Sequence, residues 1–480
     1  MTFENKLQKI HDASMGLLAK SGIRYPSPTA LDIFKKHGAD VEGDIVRIDE
    51  STLIKYIGKA PARFTIEARN PKYNVDMGGG GHYAVPAYGS PYVEDFTGET
   101  RYSTLKDFIY FLKQIEALDD FHINGGILCQ PNEYEAGIVT LLMWYAILRG
   151  SEKVLFCPAG NEKETRTMME MACNLFGGRD EFSRSAKTVY LVDSVSPLQM
   201  DARTVDVIRV LAEYRQPFSF TSGVITGLTG PVTLAGAIAV GNAEILSGIA
   251  LAQMIEEGTP AIYGIPVSGA DMRTSRAVFG APEMCIGIRY AAKLAKFYGL
   301  PSRGPAAISD AAYPSQQCAF ESMMTMSACF NEGLDFLLHT AGCQDSFNSI
   351  SPQKFAVDVE LFRRMNYLDR DIAVDEDSLA VALTMETGHG GNYLTCDHTL
   401  ANFKKSLYIP QIGLRYSSDF DNEFDAQITK FLKKNVKKYA VPNMEAHDIS
   451  GLRSTAAASG LPEEFMDAVE RLLEERFETI

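Results

Sequence analysis

The chain has 480 residues, of which 46% are hydrophobic and 22% charged. That is enough apolar content for a large core and too much for a disordered or low-complexity protein. Lys plus Arg number 46 against 61 Asp plus Glu, a net charge of −15. A nucleic-acid binder needs a basic surface to neutralise phosphates, so that class is excluded. The chain also lacks the polybasic clusters that hold proteins on anionic lipid.

The first residues, Met1-Thr-Phe-Glu-Asn-Lys-Leu7, contain no basic region followed by an apolar core. No signal peptide is therefore expected, and the protein is expected in the cytoplasm. Residues 1–60 read as polar and helical, with Leu7, Ile10, Met15, Leu17 and Leu18 on one side. Phe64–Ala68 is strand-like, and Gly78–Gly81 makes a turn. An aromatic loop punctuated by Gly and Pro follows, from Tyr83 to Phe96. Loops of that length in compact proteins are usually functional.

From residue 105 the pattern changes to regular alternation. Short apolar runs occur at His122–Ile127, Lys153–Cys157, Thr188–Val192, Pro217–Thr221, Pro260–Gly264, Leu300–Arg303 and Phe336–His339. Between them lie helical patterns at Tyr134–Leu148, Arg203–Tyr214, Leu234–Ile255, Met284–Tyr298 and Ala319–Phe330. A strand plus crossover helix takes about thirty residues or more, and this spacing fits repeated βαβ units. Seven strands in series approach a TIM-type (β/α)8 barrel. The eighth is expected either at Gly391–Thr395 or in the N-terminal region. The expected organisation is an α/β chain in three parts. Residues 1–104 are helical and β-hairpin additions, 105–400 the barrel, and 401–480 a C-terminal helical extension. In the last part Leu461, Phe465, Val469, Leu472 and Leu473 form an apolar helical stripe.

Three motifs suggest chemistry and are each outweighed by a plainer reading. Asp120-Phe-His-Ile-Asn-Gly125 matches the D-x-H-x-x-G of corrinoid modules, yet His122 runs into a strand instead of opening a helix. His389, Cys396, Asp397 and His398 are zinc-ligand types at a spacing that fits no zinc motif, so hydrogen bonding near a glycine turn is expected. Gly223–Pro231 follows a strand and precedes a helix, with Pro231 at the first helical position. Without the Lys-Ser/Thr of a P-loop it reads as a packing loop at a barrel mouth, with an anion site as the alternative. The eight cysteines form no C-x-x-C pair and are read as buried free thiols. No self-contained nucleophile motif occurs, so no catalytic protein nucleophile and no bound metal are expected.

Longer motifs carry a family likeness. Tyr88-Gly-Ser-Pro-Tyr-Val-Glu-Asp-Phe-Thr-Gly-Glu-Thr-Arg101 comes first, then Leu228-Thr-Gly-Pro-Val-Thr-Leu-Ala-Gly-Ala, continuing to Gly241-Asn-Ala-Glu-Ile-Leu-Ser-Gly248. Ala270–Thr274, Phe279–Glu283, Phe297–Arg303, Asp397–Leu400 and Phe403 follow in order. Over roughly residues 1–440 the chain resembles the trimethylamine methyltransferase family of corrinoid-dependent methyltransferases. The trimethylamine enzymes carry pyrrolysine in a region that aligns with Asp310–Glu321, where this chain has ordinary residues only. The resemblance is therefore to the branch that demethylates quaternary amines such as glycine betaine or proline betaine. It implies methyl transfer to the Co(I) of a separate corrinoid protein, with no tightly bound cofactor in this chain. It also leaves open carnitine, γ-butyrobetaine, or a non-catalytic betaine-binding barrel. A homo-oligomer is expected.

For the trimethylammonium head, an aromatic site is expected from Tyr88, Tyr92, Phe220 and Phe347, because desolvated quaternary ammonium is attracted to ring faces. His339, at the polar exit of an apolar run, is expected to line the site. Arg303 is expected to hold the substrate carboxylate through two parallel hydrogen bonds. Its competitor, Arg273, has Asp271 as a neighbour and is expected to pair with it.

Overall fold

In the computed structural model, which describes residues 1–477, parallel strands and helices alternate along the chain. The strands are β1 Tyr83–Ala84, β2 Ile123–Gly125, β3 Val154–Phe156, β4 Thr188–Asp193, β5 Phe218–Thr221, β6 Ala261–Tyr263, β7 Arg303–Pro305 and β8 Phe336–Leu338. Each is followed by a helix: α1 Leu105–Glu116, α2 Ala136–Gly150, α3 Glu162–Cys173, α4 Ala202–Glu213, α5 Leu234–Ile255, α6 Pro282–Phe297, α7 Gln316–Asn331 and α8 Pro352–Leu368. Strands β2 to β6 form one parallel ladder, and β7, β8 and β1 a second. Single parallel bridges join the two ladders at both edges, Tyr263 to Ser302 and Ala84 to Phe121.

The strand beside β8 is thus Tyr83–Ala84 from the N-terminal loop, while Gly391–Thr395 forms no strand. Two other expectations shift. The short strand expected at Leu300–Arg303 runs Arg303–Pro305, through the Gly-Pro pair taken as its breaker. Ala306 N–H donates to Leu338 O, so the Pro305 nitrogen points the other way, where the ladder is only the Tyr263–Ser302 bridge. Helix α5 begins at Leu234, three residues beyond Pro231, after a turn in which Gly227 N–H donates to Gly230 O.

Strand alternation sorts the side chains. Val85, Ile123, Val154, Phe156, Val189, Ile262, Phe336 and Leu338 form one apolar cluster on the face of the strands away from the helices. Their neighbours, such as Leu155, Phe218, Phe220, Tyr263 and Leu337, join the larger core shared with the helices. Helix α5 passes the length and hydropathy test for a membrane span, but 83% of its apolar window is buried in this fold. Residues 1–60 add a three-stranded antiparallel sheet to the expected helices. The C-terminal stripe lies on the helix Glu463–Glu474, where Phe465 meets Tyr134 and Glu470 pairs with Arg149.

Candidate functional site at the C-terminal ends of the strands

The C-terminal ends of the strands bring residues from six of them to one rim. Tyr88, just past β1, lies over the end of β2. A Cβ on Gly126 would meet its ring at 2.8 Å, and its hydroxyl donates to Cys157 O beyond β3 at 3.3 Å. On β4, Asp193 follows Val189 and Leu191 on the inward face. The register carries that level around the ring. Asp193 pairs with Thr221, Phe220 with Tyr263, and Tyr263 bridges Ser302. Thr221, Gly264 and Arg303 therefore stand level with Asp193 on β5, β6 and β7. His339 and Phe347 follow β8.

The polar atoms of this level are conspicuously free. Thr221 Oγ1 and Arg303 Nε are buried without a hydrogen-bond partner, as is Ser219 Oγ one layer below. Among the described residues the Asp193 carboxylate makes no hydrogen bond. Asp193 is itself exposed at the end of β4, yet the crowding of protein around its carboxylate outweighs the attraction of Arg303 and Arg203 and raises its pKa to about 6. Arg303 is 5% exposed; burial, partly offset by Asp193, lowers its pKa to about 10. Burial, with Arg303 and Lys354 nearby, lowers the His339 pKa to about 3. The ring is therefore neutral, and its Nδ1 accepts the Tyr88 backbone N–H at 3.3 Å.

The aromatic wall continues from His339. Its ring centroid is 4.6 Å from Phe347, which meets Phe279 edge-on at 4.2 Å. Asp310 ties this corner together by accepting the backbone N–H groups of Phe279 and Gly280 and the Ser346 hydroxyl. His339, Asp345, Ser346 and Phe347 all adopt positive φ between 49° and 75°. Four non-glycine residues in that region are held there by surrounding structure, a pattern found at functional corners.

Of the six sequence-expected residues, four gather at this rim: Tyr88, Arg303, His339 and Phe347. Two do not. Phe220 points outward, fully buried against α5, where a Cβ on Gly248 would lie 2.0 Å from its ring. It fills the strand–helix interface, and its inward neighbours are Ser219 and Thr221. Tyr92 sits on a separate strand, Tyr92–Glu94, with its ring 4.9 Å from Tyr102 on the partner hairpin strand. Arg273 pairs with Asp271 at 3.6 Å on an exposed loop. Sequence reasoning missed Asp193, Thr221 and Gly264. The alternation Val189-Leu191-Asp193 was the available signal, but the expected strand stopped at Val192.

The other motifs lie elsewhere. His122 stands at the start of β2, the opposite end of the strands, between the Tyr73 and Tyr83 rings. His398 Nε2 contacts Asp377 O, and Cys396 contacts Tyr393 O. All eight cysteines are free, six of them buried. Among the described residues no group of three or more His, Cys, Asp or Glu is placed to hold a metal.

Comparison with known proteins places this rim in context. Residues 1–454 match the family described as trimethylamine methyltransferase (MTTB). The chain belongs to that family. A glycine betaine methyltransferase of Desulfitobacterium hafniense (strain Y51) is 36% identical over 416 residues, covering 87% of each chain. A proline betaine:corrinoid methyltransferase of Eubacterium limosum is 29% identical over 457 residues, covering 91% of this chain and 93% of the relative. The crystal structure of the hydroxylamine MtmB complex aligns with 96% of this chain and 89% of its own, at 12% identity and a TM-score of 0.50. That last likeness concerns the fold alone, an α/β arrangement around a parallel sheet.

Proposed function

We propose that this protein transfers a methyl group from a betaine-type quaternary amine to the Co(I) of a separate corrinoid protein, releasing the tertiary amine. The observation that carries the reading is the buried Arg303. It is without an ion pair among the described residues and stands level with a free carboxylate, near His339, whose ring in turn meets the Tyr88 backbone and the Phe347 ring. The names of the two betaine relatives point the same way. We further propose that the cyclic strand order is a closed (β/α)8 barrel, a reading supported by the two bridging pairs. In it, residues 105–400 form the barrel with β1 contributed by the 1–104 segment, and 401–480 are the C-terminal extension.

The chemistry asks little of the protein as acid or base. A quaternary nitrogen already bears its positive charge, so the C–N bond breaks with its electron pair leaving on a neutral amine. Co(I) on the partner supplies the nucleophile and forms the new bond to carbon. What remains for this chain is to orient the methyl, exclude water and leave the rim open to the corrinoid. Tyr88 and Phe347 present ring faces to the cation, worth about 2 kcal/mol or more when desolvated. His339, neutral at physiological pH, adds no competing positive charge. Arg303 fixes the carboxylate and hence which methyl faces outward. The acceptor is read as a separate protein because the one corrinoid-like histidine, His122, lies at the far end of the strands. We also infer a cytoplasmic homo-oligomer, in keeping with the acidic composition.

The test mixes the protein with glycine betaine and a reduced corrinoid protein and follows the change from Co(I) to methyl-Co(III) by absorbance. The spectral change should require both betaine and this protein. Betaine binding without any spectral change would overturn methyl transfer and leave a binding protein.

A further inference from the structure

We infer that Asp193 is the negative pole of a two-ended cradle whose positive pole is Arg303, shaped for a zwitterion with its ammonium and carboxylate on one shared carbon. The inference rests on the betaine reading above and adds the residues that set polarity and span.

The geometry runs as follows. Asp193 and Arg303 stand level in the register but three strands apart, roughly 14 Å along the wall at the usual spacing. Arg303 shortens that distance. A Cβ placed on Gly264 would fall 2.4 Å from Arg303 Cγ and 3.0 Å from its Nε. The arginine stem therefore lies across the bare backbone of β6, on the side toward β5 and β4. Gly264 does not have a positive φ, so its lack of a side chain makes room and does not serve a turn. Between the two charges lies Thr221, whose hydroxyl is buried and unpartnered, as is Arg303 Nε. Orphaned buried polar atoms cost free energy unless a ligand or water satisfies them. Both face the span between a free carboxylate and a free guanidinium.

The remaining gap is about one to two strand spacings, roughly 5–10 Å. A compact α-betaine fits, its carboxylate on Arg303 and Thr221 and its trimethylammonium toward Asp193 and Tyr88. A γ-betaine carries two more methylenes between its charges and would have to fold. Asp193 makes no hydrogen bond that supports the fold, so neutralising it tests binding without threatening the structure. Arg203, the other cation near Asp193, is exposed and paired loosely with Asp201 at 4.0 Å.

The test measures equilibrium binding by calorimetry, without corrinoid, for four ligands. Glycine betaine carries both poles, choline only the cation, 3,3-dimethylbutyrate only the carboxylate, and γ-butyrobetaine both poles further apart. The native protein should bind glycine betaine more tightly than γ-butyrobetaine. Asp193→Asn should weaken glycine betaine and choline by about 10-fold or more while sparing 3,3-dimethylbutyrate. Gly264→Ala, by displacing Arg303, should weaken glycine betaine and 3,3-dimethylbutyrate while sparing choline. If Asp193→Asn leaves glycine betaine and choline within twofold, or weakens all ligands equally, the cradle is refuted. Binding as stated with no methyl transfer to the corrinoid protein would overturn the proposed reaction and leave the cradle intact.

Discussion

The two ends of the parallel strands treat several of their inward polar groups differently. At the N-terminal end nearly every buried polar group is satisfied. Gln216, fully buried before β5, accepts from Lys187 and Thr188 N–H and donates to the carbonyls of Phe182, Ser185 and Tyr214. Asp335, before β8, accepts backbone N–H groups from Gly78, Gly80 and Ser302. Lys153, before β3, donates to Ile115 O and Leu118 O. Among the described residues, His122 Nδ1 and Ser183 Oγ are exceptions there. At the C-terminal end Thr221, Arg303 and Asp193 are left wanting partners. The lower end uses its polarity to hold the chain together, whereas at the upper end Glu244 is fully paired with Ser194, Ser196, Ser222 and Leu198 N–H and these three groups are not.

Variants can break that contrast in a graded way. Phe220→Ala should cost the most stability, about 3–5 kcal/mol, because it empties a buried ring site against α5. Denaturant unfolding should report that loss, with betaine affinity in the folded protein unchanged. A large change in affinity would put Phe220 back at the site.

Gln216→Leu should lose about 2–4 kcal/mol, since several buried backbone groups are orphaned at once. Betaine affinity should again hold, as expected of the lower end. If affinity falls along with stability, the two ends are not independent.

His339 sharpens the comparison through pH. Its folded pKa of about 3 lies below the ordinary value of 6.5, so below pH 6.5 the unfolded chain takes up a proton the folded ring refuses. The stability tied to a neutral His339 is full above about pH 6.5. It is lost as pH falls from there through about 3, at about 1.4 kcal/mol per unit. The difference in unfolding free energy between native protein and His339→Gln should shrink between pH 7 and 5. A pH-independent difference would mean that His339 is readily protonated in place.

The smallest effect is expected for Phe347→Ala. One ring face removed from a quaternary ammonium should cost about 0.5–2 kcal/mol of betaine binding. Half-buried as it is, the residue should contribute little to stability. Calorimetry with glycine betaine should detect the loss, and an affinity within twofold of the native protein would move the aromatic wall elsewhere.

Much of the molecule was legible before folding. Apolar runs alternating with helical stripes gave seven of the strands within a few residues, because a strand buried on both faces must be apolar throughout. The long motifs gave the family. Facing was harder to read. Phe218-Ser-Phe-Thr221 alternates correctly, yet the sequence gives no sign of which set points inward. Phe220 looked like part of the ligand wall, whereas it fills the gap over Gly248 and the small polar pair faces the interior. Tyr92 lay in a promising loop but was drawn into the hairpin beside Tyr102 by backbone pairing.

By itself, then, the sequence determined the alternating α/β order and the family, since these depend on local periodicity and on motif. Only the tertiary structure decided that Asp193, Thr221, Gly264 and Arg303 share one level. Their separation in the chain spans 110 positions, from 193 to 303, and no local signal crosses it. What unites them is strand register, a hydrogen-bonded alignment that exists only once β4 to β7 lie side by side.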